Sequence, residues 1–118
     1  MSMREQTYFI LASLLDGPLH GYAIIARAEE LSQGQVKLAA GTLYAAIDRL
    51  HDIGMIENVR EEVVNGRARR YYGLTPTGDE AVRAEASRMV AAAQVVITRR
   101  RARTATRPAA DGMTVMPA

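Results

Sequence analysis

KLAAGTLYAAIDRLHDIGMIENVREEVVNGRARRYYGL, residues 37–74, combines a helix signal with a hairpin signal. From Ala40 to Ile53, the residues Leu43, Ile47, Leu50 and Ile53 recur by steps of three and four, which places them on one face of a helix. Thr42, Tyr44, Ala45, Asp48 and Arg49 fall nearer the other side. Gly54 stands where such a helix stops. Met55 to Val59 is apolar and β-branched enough for a strand, and Asn65-Gly66 is a tight-turn pair because both residues accept positive φ. Arg69 to Leu74 is the returning strand. A period of two puts Tyr72 and Leu74 on one face, Leu74 inward, and Arg69 and Tyr71 on the other.

On the N-terminal side, Tyr8, Leu11, Ala12, Leu14 and Leu15 predict a helix over Arg4 to Leu15, with Phe9 and Ile10 widening its apolar stripe. Asp16-Gly17-Pro18 ends it. A second helix is expected from His20 to Ser32, with Ile24, Ile25, Ala28 and Leu31 inward, and Gln35 to Leu38 is expected to form a small strand. On the C-terminal side, Thr75-Pro76 reads as a cap followed by a first helical residue, and Thr77-Gly78-Asp79-Glu80 offers a second start. Val82, Ala86, Met89, Ala93 and Val96 then form an apolar seam suited to another helix. Past Arg99 the periodicity is lost, and a disordered basic tail is expected. The fold class is mainly α with a small β-hairpin (α+β). Residues 1–75 form a winged helix-turn-helix, 76–98 a C-terminal dimerisation helix and 99–118 the tail.

The 118 residues suit one domain, and the absence of cysteine excludes disulfides and thiolate metal sites. No apolar run approaches the roughly 20 residues that span a bilayer, and no secretory leader is recognisable, so a soluble cytoplasmic protein without membrane partners is expected. The formal net charge of +2 is divided unevenly. Residues 1–98 carry ten Arg or Lys against twelve Asp or Glu, whereas residues 99–118 carry five Arg against Asp111. Local clustering, not overall basicity, must therefore carry any argument for nucleic-acid binding. With His20 and His51 alone, no transition-metal site stands out, no cofactor is expected, and no catalytic constellation or phosphate-binding glycine loop suggests an enzyme.

At His20-Gly21-Tyr22, Gly41-Thr42-Leu43-Tyr44 and Tyr72-Gly73-Leu74-Thr75, in that order and spacing, the chain resembles the PadR family of bacterial winged-helix transcriptional regulators. The likeness covers about Tyr8 to Ile97 and is similar to the short branch with one helix after the wing. It implies a homodimer on a double-stranded DNA operator, usually as a repressor and often released by a small-molecule effector. Where the family commonly has Ser-Pro before the Gly-Thr-Leu-Tyr motif, this chain has Ala39-Ala40, losing a cap worth about 1 kcal/mol. Ala45 stands where proline is common. Without tryptophan, the chain lacks the paired indoles with which some relatives hold flat drugs.

The expected DNA contacts are Lys37, Gly41, Thr42, Tyr44, Arg67, Arg69 and Arg70, with His20, Tyr22 and Arg49 as secondary candidates. A helix N-terminus offers free N–H groups and partial positive charge to phosphate, and Gly41 and Thr42 are small enough to let it approach. Tyr44 can donate to a phosphate, or it can cap the domain's own core. Arg67, Arg69 and Arg70 can reach the backbone or a narrow minor groove, or pair across the ribbon with Glu61 and Glu62. Asp48 and Asp52 are candidate partners for Arg49, which favours a solvated face there. His20 reads as a capping or packing residue. Val82, Ala86, Met89, Ala93 and Val96 are the expected dimer interface. Tyr8, Phe9, Met89 and Ala93 could wall an effector pocket, or simply pack the core. The competing reading is a winged-helix protein–protein interaction module without operator binding, which the net negative charge of residues 1–98 suits.

Overall fold

The structure, a computed structural model, describes residues 3–106. Four helices, α1 (Glu5–Ser13), α2 (Gly21–Leu31), α3 (Ala40–Asp52) and α4 (Pro76–Thr106), accompany an antiparallel sheet of β1 (Leu19–His20), β2 (Ile56–Val64) and β3 (Arg67–Leu74). The strand order is β1-β3-β2, so the strand returning from the wing tip lies in the middle. The chain is α+β, a winged helix-turn-helix followed by one long helix. Among the described residues, no helix is long and apolar enough to cross a membrane.

The first three helices close on one another because each presents a stripe of aliphatic residues. Ile10, Leu11 and Leu14 meet Ile24 and Ala28, and Leu43, Ala46, Ile47 and Leu50 complete the core. Val36 and Leu38 fill it from the turn between α2 and α3. That turn is held by the Ser32 hydroxyl, which donates to the Glu29 carbonyl at 3.1 Å and accepts the Val36 N–H at 2.8 Å. Gln35 to Leu38 consequently forms no strand, contrary to expectation. The extra strand is Leu19–His20, whose residues pair with Tyr72 and Tyr71. Ile53 and Leu15, expected inward, are exposed at the helix ends.

The wing follows its turn chemistry: Asn65 and Gly66 both have positive φ, 53° and 76°. Ladder register pairs Ile56 with Leu74 at the base and Val64 with Arg67 at the tip. The register shifts between Asn58 and Arg60, which marks a bulge at Val59. Tyr72 is buried and Leu74 half-buried against the core, as the period of two requires.

Thr75 caps α4. Its hydroxyl accepts the Gly78 N–H at 3.0 Å and donates to the Gly54 carbonyl at 2.5 Å, tying the new helix to the end of α3. Gly78 sits so close to Met55 that a Cβ there would overlap the Met55 carbonyl oxygen. The first unit extends to Glu85, and a second begins at Ala86. The boundary therefore falls within α4 and not after Thr75, because Val82, only 2% exposed, belongs to the core of the first unit. Glu85, also buried, accepts the Met3 N–H at 3.5 Å. Beyond Glu85, α4 is helical to Thr106, so residues 99–106 are not the disordered start of a tail. Residues 107–118, the rest of the expected tail, lie outside the described residues.

Candidate nucleic-acid interface

The N-terminus of α3 is open. Ala39, at the cap position, makes no side-chain hydrogen bond, and the Leu43 N–H donates to the Ala39 carbonyl at 2.9 Å. The N–H groups of Ala40, Gly41 and Thr42 precede that first bond and have no partner within the helix. Gly41 and Thr42 are both exposed, and a Cβ built on Gly41 would meet nothing within 4 Å. Gly41 has no positive φ either. Among the described residues, nothing requires glycine at this position.

Gly21 is the opposite case. It is buried at the first position of α2, and a Cβ there would overlap the Tyr44 hydroxyl oxygen and lie 2.8 Å from Cζ. Tyr44 thus spans from α3 to the start of α2 while remaining 41% exposed. The two readings left open for this tyrosine are not exclusive: one edge of the ring packs, and the rest faces solvent.

His20 caps α2. Its Nδ1 accepts the Ala23 N–H at 3.4 Å, a geometry that requires the neutral ring with its proton on Nε2. The imidazole meets the Tyr71 ring edge-on at 5.6 Å, and the Arg60 guanidinium lies over the Tyr71 ring, 4.0 Å from its centroid. Burial lowers the His20 pKa from its ordinary value, the nearby Arg69 cation lowers it further, and Glu62 opposes both.

The wing's carboxylates are distributed unequally. Arg70 Nε donates to Glu61 Oε2 at 3.1 Å, the cross-strand pair that register predicts, and this bond raises the Arg70 pKa. Glu62 lies opposite Arg69 in register but bonds Arg60 Nε at 3.2 Å instead. Among the described residues, Arg67 and Arg69 have no carboxylate within ion-pair distance, and neither do Lys37 and Arg49. The expected pairing of Arg49 with Asp48 or Asp52 is absent. Position 48 is one step along the helix from Arg49 and so points elsewhere.

Between these elements lies an open trough of about 880 Å³. Its walls are His20, Gly21 and Tyr22 at the start of α2, Tyr44 and Asp48 on α3, and Arg67, Arg69 and Arg70 on the wing. Six of the expected contact residues thus border one concavity, while Lys37, Gly41, Thr42 and Arg49 stand exposed outside its lining. Asp48 and Gly21 were not among the expected site residues. Asp48 could have been found by stepping one helical turn from Tyr44. Burial pushes the Tyr72 phenol at the trough's floor up. Among the described residues, no group of three or more His, Cys, Asp or Glu could hold a metal ion.

Of the expected interface and pocket residues, Val82 faces the chain's own core and is unavailable to a partner. Ala86 is half-buried, and Met89, Ala93 and Val96 are exposed on α4. Tyr8 and Phe9 are half-buried against the core, with rings edge to face at 5.1 Å.

A helix with an open N-terminus beside a cationic two-stranded wing defines the winged helix-turn-helix class. Within that class the chain belongs to the transcriptional regulator PadR-like family, whose model matches residues 10–84. It is 37% identical over 73 residues to a transcriptional regulator of Mycobacterium tuberculosis, covering 62% of this chain and 64% of that protein. It is also 38% identical over 89 residues to a 37.1 kDa protein of a Streptomyces fradiae transposon, covering 75% of this chain and 24% of that protein. The chain therefore spans less than two thirds of either relative. Among solved structures, Bacillus subtilis PadR in complex with operator DNA superposes with a TM-score of 0.61 at 26% identity, covering 69% of this chain and 47% of that one. A transcriptional regulator from Clostridium thermocellum gives a TM-score of 0.65 at 24% identity, covering 78% and 89%.

Proposed function

We propose that the chain is a cytoplasmic, homodimeric, sequence-specific DNA-binding regulator that represses transcription and is released by a small-molecule effector. The observation that carries DNA binding is the pairing of an open helix end with uncompensated cations. Gly41 has no intramolecular reason to be glycine, and the absence of a side chain there lets a phosphate approach the free N–H groups of α3. Arg67 and Arg69 stand without carboxylate partners on the wing beside it. The operator-bound state of the Bacillus subtilis relative supports the same reading.

Dimerisation is supported by the second unit. Val90 and Val96 are 61% and 69% exposed, and Met89, Val95 and Ile97 are exposed with them. A second copy is the partner that family membership favours, with Ala86, Met89, Ala93 and Val96 in the contact. Two related recognition helices would read half-sites about one helical turn apart. Repression and effector release rest on the family likeness.

Mobility-shift titration against the region upstream of its own gene, with sedimentation of the free protein, tests both parts. A shifted complex that weakens steeply with salt and a dimer at micromolar concentration are expected. A protein that binds no DNA but retains a protein partner would instead be the interaction module.

A further inference from the structure

Asp48 is out of place on a surface that receives phosphates. It is exposed on α3, lines the trough bordered by Arg67, Arg69 and Arg70, and follows Tyr44 by one helical turn. With Gly41 and Tyr44 it forms the outward stripe of the helix, in steps of three and four. Among the described residues no cation lies within ion-pair distance of its carboxylate, and no hydrogen bond holds it. It caps no helix end, being in the ninth position of a helix of 13 residues. Intramolecular stability gives no reason for an acid here, and a phosphate would be repelled by it.

In a major groove the hydrogen-bond donors available to a carboxylate are exocyclic amines, cytosine N4 and adenine N6. The adenine amine sits beside the N7 acceptor, whose lone pair repels a second carboxylate oxygen. The cytosine amine has only a C–H neighbour on that edge. Resting on the DNA-binding reading above, we propose that Asp48 is a specificity-determining residue that accepts a hydrogen bond from a cytosine amine in each half-site and, by repelling phosphate, weakens binding elsewhere. The wing arginines would supply affinity that is blind to sequence, and Asp48 would spend part of it on discrimination.

Selection of binding sites from random DNA, run in parallel on the full chain and on its Asp48→Ala and Asp48→Asn variants, tests this. Thermal unfolding checks that each variant is folded. The wild type should select a motif with a required cytosine in each half-site. Asp48→Ala should lose that preference, with discrimination at the position falling roughly 5- to 150-fold, and should bind random DNA more tightly. Asp48→Asn should move the preference to adenine, whose N6 and N7 match an amide. A folded Asp48→Ala variant that selects the wild-type motif unchanged overturns the assignment while leaving operator binding intact. A wild type that binds no DNA overturns this inference together with the reading on which it rests.

Discussion

The hydroxyl end of Tyr44 rests against the backbone of Gly21, so closely that a single methyl at position 21 would overlap it. The contact joins Tyr44 on α3 to the first residue of α2, and it fixes where the exposed part of the ring stands beside the trough. The pairing couples Gly21 to Tyr44 across a sequence separation of twenty-three.

Gly21→Ala should therefore lower stability by about 1–3 kcal/mol, the usual cost of overfilling a packed site. In a Tyr44→Ala background the same change should cost little, because the obstructing ring is gone. A double-mutant cycle by urea unfolding measures the coupling. Additive effects of the two substitutions would show that the two residues do not constrain each other.

Gly41 and Gly78 should respond in opposite directions to alanine. At Gly78 the added methyl meets the Met55 carbonyl, backbone that cannot rotate away, and a loss of about 2 kcal/mol or more is expected. At Gly41 the methyl enters open space in an ordinary helical conformation, so stability should rise by about 0.5–1 kcal/mol. DNA affinity should nonetheless fall in Gly41→Ala, since the methyl stands between the helix end and phosphate. Denaturation and anisotropy titration of the same preparations separate the two effects.

Burial, with the nearby Arg69 cation, sets the His20 pKa in the folded chain below the unfolded value of about 6.5. The unfolded chain then binds the extra proton more readily, so stability rises with pH across this range. The contribution is present above about pH 6.5 and is lost as pH falls towards the lower folded value. In His20→Asn, which keeps an oxygen able to accept the Ala23 N–H, this part of the slope should vanish below about pH 6.5. Urea midpoints at closely spaced pH values provide the measurement.

Much of this arrangement was legible in the chain. Asn65-Gly66 and Thr75-Pro76 act through local conformational preference, and each does in the structure what those preferences dictate. The stripe of α3 was legible because Leu43, Ile47 and Leu50 bury one face of a helix with polar residues opposite. Leu19–His20 was not, because two residues after a proline have no period, and they become a strand only when Tyr71 and Tyr72 arrive beside them. Nor could the sequence say which acid would hold which arginine. Glu62 lies opposite Arg69 as the hairpin register implies, yet it bonds Arg60, two residues away on its own strand, and among the described residues Arg69 has no carboxylate within ion-pair distance. Val82 shared the spacing of the C-terminal seam, but packing against the first three helices claimed it.

If Tyr44 on α3 and Arg69 on the wing touch the same DNA, removing both side chains should weaken binding without unfolding the protein. Fluorescence anisotropy of the Tyr44→Ala/Arg69→Ala variant beside wild type, on the upstream region of its own gene at low and physiological salt, reads this out. A folded variant with at least about 10-fold weaker affinity is expected. Its dependence of log affinity on log salt should be shallower by about 0.9 for each phosphate that the variant no longer neutralises. A folded double variant that binds with wild-type affinity and an unchanged salt slope would mean that these two residues do not meet the DNA.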